Sequence, residues 1–156
     1  MRREHFTLTV RNVDWVETDG TPRKPSVSID FTGPESTLRE RLTGPDGTLL
    51  EATETDVALR LQGPLETDAD GVVSVTNRVT GDFVLELNEA AADVLTFIRA
   101  ARRYGETASD DEGRYHVEIL LDGESMTSYE KGTFLVYDEE GSLLRQHSLI
   151  PSGVEL

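Results

Sequence analysis

The chain has 156 residues, with 30 Asp or Glu against 15 Lys or Arg, a net charge of −15 and no cysteine. That length suits one domain with a self-sufficient core, and the lack of cysteine excludes disulfides, thiolate metal sites and cysteine nucleophiles. No apolar run approaches the roughly 20 residues of a membrane helix, and an acidic chain with no basic stripe of interleaved aromatics argues against nucleic acid as a partner.

The basic residues are skewed. Only Lys24 and Lys131 are lysines; the other 13 are arginines. Few lysines, many carboxylates and abundant Thr and Val point to a protein adapted to molar salt. There the Debye length falls to about 3 Å, so repulsion between surface carboxylates is nearly silenced. Arg2 and Arg3 are followed by alternating residues rather than an apolar segment. A secretory or twin-arginine signal is therefore not expected, and the expected location is cytoplasmic.

Phe6, Leu8 and Val10 alternate with polar residues, and Val13, Trp15 and Val16 continue after Arg11-Asn12. A strand bulged near Asn12 is expected over 5–16, with Trp15 in the core or at its rim. Val27, Ile29 and Phe31 mark a second strand. Gly33-Pro34-Glu35 opens a short helix over about 34–43, with Leu38 and Leu42 four apart and Gly44-Pro45 as the stop. Leu49-Leu50, then Val57, Leu59 and Leu61, suggest two short strands. A long loop is expected at about 62–71, within a single domain spanning 1–156.

The strongest signal runs from Gly71 to Gly105. Val73 and Val75, then Phe83, Leu85 and Leu87, mark two strands across a turn at Thr80-Gly81-Asp82. Asn88 is the expected N-cap of the main helix, at about 89–104. Ala91, Val94, Leu95, Ile98, Ala101 and Arg102 share one helical face, with Phe97 at its edge and Gly105 as terminator. Glu89 and Asp93 put negative charge at the helix start, and Arg99, Arg102 and Arg103 put positive charge at its end. An acidic loop over 107–113 precedes a strand at Tyr115, Val117, Ile119 and Leu121. Phe134, Val136 and, across Asp138–Gly141, Leu144 suggest a hairpin, and the tail 151–156 is expected to fray. The sum is an α+β fold: an antiparallel or mixed sheet of seven to nine short strands covered by one main helix.

Chemistry-bearing residues are few. His5, His116 and His147 each fall on an expected strand. A sheet could gather them into a three-nitrogen metal site, though surface histidines are the simpler reading of so unspecific a pattern. Glu66–Gly71 has the alternation of an EF-hand start, but position twelve is Asn77 and the flanks are not helical. No P-loop, GxSxG, GxGxxG or HExxH motif occurs, so neither catalysis nor a cofactor is expected. Arg99, Arg102 and Arg103 could capture an anion or an acidic partner; complementing the helix C-terminus is their simpler role.

The runs VRNVDWVETDGTPRKPSVSIDF (Val10–Phe31) and Gly71–Gly105 resemble an uncharacterised family of small acidic proteins from halophilic archaea. The resemblance implies a cytoplasmic, single-domain, salt-adapted protein; it implies no activity and carries over no functional residue. The expected role is a non-catalytic binding or adaptor protein, with a protein partner or as a homodimer, using a strand edge or the outer helix face. The alternative is a small-molecule-binding protein or an enzyme with a site between helix and sheet.

Overall fold

The computed structural model describes residues 5–18, 20–64, 69–107 and 113–150. In chain order they form β1 (Phe6–Arg11), the one-turn helix α1 (Trp15–Thr18), β2 (Ser26–Phe31), α2 (Glu35–Leu42), β3 (Thr55–Leu61), β4 (Asp70–Asn77), β5 (Phe83–Ala90), α3 (Ala91–Thr107), β6 (Tyr115–Leu121), β7 (Glu124–Lys131) and β8 (Leu135–Tyr137). The fold is α+β with eight strands, as the sequence suggests, divided between two mixed four-stranded sheets. The first has the order β1-β2-β6-β7 and the second β5-β4-β3-β8. One pair in each sheet is parallel, β2 with β6 and β3 with β8; the remaining pairs are antiparallel.

Alternation dictates the core, because successive side chains of a strand face opposite sides. Val27, Ile29, Phe31, Val117 and Ile119 turn inward from the first sheet. Val57, Leu59, Val73, Val75, Leu85 and Leu87 do so from the second, and all are buried. Leu38 and Leu42 of α2 and the apolar face of α3 join them in one continuous cluster.

α3 starts and ends differently from the expectation. β5 runs through Ala90, and Asn88 pairs with Val72 in the ladder instead of capping a helix. Strand pairing over eight residues outweighs a local cap here. The Ala91 amide donates to the Ala69 carbonyl, and the helix begins directly. Gly105 lies inside the helix rather than at its end. The Arg114 side chain lies across it, and a Cβ there would displace the end of that flexible chain. The buried face is also rotated. Phe97 is central, its ring 5.4 Å from that of Tyr115 and 6.3 Å from that of Phe134, whereas Leu95 is only partly buried.

Three other segments depart from their periodicity. β1 ends at Arg11; Asn12 takes a left-handed φ of 63° and turns the chain. Trp15, on α1, then buries its ring at 4% exposure and donates its indole N–H to the Asn12 carbonyl. The apolar spacing of Val13, Trp15 and Val16 thus belongs to a wrapped turn, not a strand. β7 has no readable alternation and forms because the turn at Asp122-Gly123 folds it back on β6. The expected hairpin near Leu144 shrinks: β8 pairs with β3, and the return segment makes only the isolated bridges Tyr137–Leu143 and Phe134–Leu149. Likewise Leu49 contributes one bridge, to Thr43, rather than a strand. β4 takes in Asp70 and Gly71, which shortens the loop expected over 62–71. Residues 65–68, most of the acidic loop at 108–112 and the tail 151–156 lie outside the described residues.

Candidate functional site

The three histidines stand apart. The His5 carbonyl accepts the Thr32 amide at one end of the β1–β2 ladder, whereas His116 pairs with Ser26 at the other end of β2. Six residues of strand separate these rungs, about 20 Å. His147 sits in a 3-10 turn, Arg145–His147, after β8. Among the described residues no group of three His, Asp or Glu is placed to hold a metal ion. His116 has a different neighbourhood. Its Nδ1 lies 2.6 Å from Glu130 Oε1, and Lys24 Nζ lies 2.6 Å from Glu130 Oε2. One carboxylate thereby ties the segment before β2 to the β6–β7 pair.

The arginines of α3 make hydrogen bonds within the fold. Arg102 donates to the Ser148 carbonyl at 2.8 Å and to that of Gln146 at 3.4 Å. Arg103 donates to the Val16 carbonyl at 3.3 Å, and Arg99 to the Thr96 hydroxyl at 3.1 Å. The first two hold the segments around β8 and α1 against the helix.

Among the described residues Lys131 is the buried cation, 7% exposed. Its ammonium donates to the carbonyls of Ala52 and Thr55 at 2.7 and 2.6 Å, closing the 3-10 turn Ala52–Glu54 at the start of β3. Burial lowers its pKa below the usual 10.5; Arg78 lowers it further and Asp56 acts the other way. Held on two carbonyls, the ammonium fastens the 3-10 turn to β7.

Between α3 and the sheets lies a void of about 20 Å³, lined by apolar side chains including Val10, Val27, Val73, Val94 and Phe97. It has room for little more than a water-sized sphere and offers no group to polarise or orient a substrate.

The surface feature that packing leaves unexplained is the β4–β5 hairpin. Among the described residues Val79 and Phe83 are the exposed large hydrophobics, at 68% and 52%. Alternation alone would put Phe83 on the same strand face as Leu85 and Leu87. A bulge overturns that: Val75 pairs with Leu85 and Thr76 with Phe83, skipping Val84. Val84 and Leu85 both turn inward and Phe83 is left outside. The tip is firmly built. The Asn77 side-chain carbonyl accepts the amides of Val79 and Thr80 at 2.9 and 3.3 Å, and Gly81 supplies a φ of 81°. Phe83 borders two grooves. One, of about 830 Å³, runs between α2 and the hairpin past Glu40, Arg41, Asp82 and Glu86. The other, of about 330 Å³, runs over the outer face of the second sheet past Arg60, Val72 and Ser74. No periodicity announces this site, because a bulge shifts the facing of a strand without changing its composition.

Among the described residues no helix is long and apolar enough to cross a membrane. No curated protein and no solved structure matches the chain. The sequence model of a family of unknown function (DUF5793) matches residues 1–156, and the chain belongs to that family.

Proposed function

We propose that the protein is a non-catalytic binding or adaptor protein of a salt-rich cytoplasm, in a halophilic archaeon, and that it acts through protein–protein contacts at the β4–β5 hairpin. The observation that carries the reading is the exposure of Val79 and Phe83 on one rigid hairpin, with Phe83 bordering two grooves. Aromatic side chains set among polar neighbours are the usual anchors of protein interfaces. The other large apolar side chains of the described residues are buried or half-buried. The alternative, a ligand between helix and sheet, would use the small apolar void of about 20 Å³. The halophilic setting is supported by the net charge of −15 and by the predominance of arginine over lysine.

The binding reading is tested by affinity purification of the tagged full chain from a halophilic host at native salt, with wild type beside Phe83→Ser. A stoichiometric partner recovered by wild type and lost by the variant is the expected result. Recovery of the same partner by both, or of none by either, refutes it. The salt reading is tested by thermal melts from dilute to molar KCl. The melting temperature should climb with salt as carboxylate repulsion is screened; a flat or falling profile refutes it.

A further inference from the structure

We infer that the hairpin groove takes an extended cationic segment of a partner protein, one presenting an apolar side chain to Phe83 and arginine or lysine to the carboxylates around it. The inference rests on the reading above, that this surface is where the protein binds. The larger groove sets Glu40, Asp82 and Glu86 against a single Arg41. The smaller adds Glu139 and Arg60, and the Arg60 guanidinium is already donating to the Glu139 carbonyl at 3.3 Å. An aromatic side chain bordered by carboxylates suits a guanidinium or ammonium twice over. The ring face attracts the cation, and the carboxylates accept its N–H groups.

A second copy of this chain fits the groove poorly. A two-fold contact sets the same patch of each copy against the other, so two acid-rich grooves would face each other with few arginines between them. Molar salt screens repulsion across water, but carboxylates covered by a partner need countercharges or donors in contact. A cationic segment brings both, and its apolar side chain covers the exposed part of Phe83.

The test uses the full chain in molar KCl and fluorescence anisotropy of a labelled octapeptide alternating arginine and leucine. Glutamate–leucine and arginine–serine octapeptides serve as controls. Arginine–leucine should bind at least about tenfold more tightly than either control, as loss of a hot-spot contact implies. It should weaken by a similar factor with Phe83→Ser and with the Asp82→Asn, Glu86→Gln double variant. Phe83→Ser should melt within about 2 °C of wild type because its side chain is half exposed, which separates lost binding from lost folding. Equal binding of the arginine–leucine and glutamate–leucine peptides, or binding indifferent to Phe83→Ser, overturns the inference. So does concentration-dependent dimerisation in light scattering that Phe83→Ser abolishes. A Phe83-dependent natural partner whose contacting segment is neutral or acidic would overturn this inference alone and leave the binding reading standing.

Discussion

Two buried tyrosines should respond with opposite sign to loss of the same atom. Tyr115 is fully buried, and its hydroxyl donates to the Thr133 carbonyl at 2.6 Å. Tyr129 is 3% exposed, and among the described residues its hydroxyl finds no hydrogen-bond partner. The Thr127 hydroxyl is near enough to ease ionisation of Tyr129 against the larger effect of burial, yet it makes no hydrogen bond with it. Tyr115→Phe keeps the ring between Phe97 and Phe134, 5.4 and 5.7 Å away, but leaves the Thr133 carbonyl without this donor. The loss is then about 1–3 kcal/mol. Tyr129→Phe removes a hydroxyl desolvated without compensation, and stability should rise by about 1 kcal/mol. For a chain of this size each kcal/mol moves the melting temperature by about 2–4 °C. The assay is denaturant unfolding in molar KCl, followed by the fluorescence of Trp15, the only tryptophan and a buried one. Loss of stability in both variants, or a larger loss at Tyr129, would refute the assignment of the paired and unpaired hydroxyls. Burial, then Asp56, raises the Tyr115 pKa well above its usual 10.0. The unfolded chain therefore releases this proton first, stability falls as the pH rises beyond about 10, and Tyr115→Phe should flatten that fall.

Other outcomes follow from burial and charge. Ile98, 1% exposed on the core face of α3, should not tolerate aspartate: Ile98→Asp should abolish cooperative unfolding in circular dichroism, because a lone buried carboxylate costs more than a domain's margin of stability. Burial, then Asp93 and Asp70, raises the Glu89 pKa above its usual 4.5. The folded state therefore holds this proton longer than the unfolded one, and stability is lost as the pH rises through that interval. Glu89→Gln should match wild type below about pH 4 and exceed it near pH 7 in denaturant midpoint. Lys131→Arg should destabilise by about 1–3 kcal/mol, since a planar fork overfills a pocket that seats an ammonium on two carbonyls. Lys24→Arg, at the more accessible Glu130 pair, should change the midpoint little.

The strands that alternate cleanly were legible because both physical requirements coincide in them. Val27, Ile29 and Phe31, or Tyr115, Val117 and Ile119, bury one face and pair on both sides. The short helix at Leu38 and Leu42 was legible from its spacing and its Pro-Glu start. Trp15, expected in the core or at its rim, is buried, but on the one-turn helix α1 rather than a strand. β7 was hidden because an edge strand with one half-buried neighbour row needs few apolar residues. The division into two sheets was hidden as well, since parallel partners such as β2 and β6 are remote in sequence. Of the residues singled out for chemistry, Arg102 and Arg103 turn out to be fasteners for neighbouring segments. The surface with the best claim to recognition rests on the bulge at Val84, a backbone feature that leaves no mark in composition.

The two parallel pairs also set an order of events. β2 waits for β6, about ninety residues later in the chain, and β3 waits nearly as long for β8. Until β6 exists, β1 and β2 are an isolated hairpin, which is marginal in water, and Val27, Ile29 and Phe31 have no neighbouring strand beyond β1. β3, β4, β5 and α3, in contrast, follow one another directly and pair locally. During synthesis this meander and its helix can pair before β6, β7 and β8 emerge. A nascent chain released before Tyr115 would carry β2 without the strand that pairs its second edge.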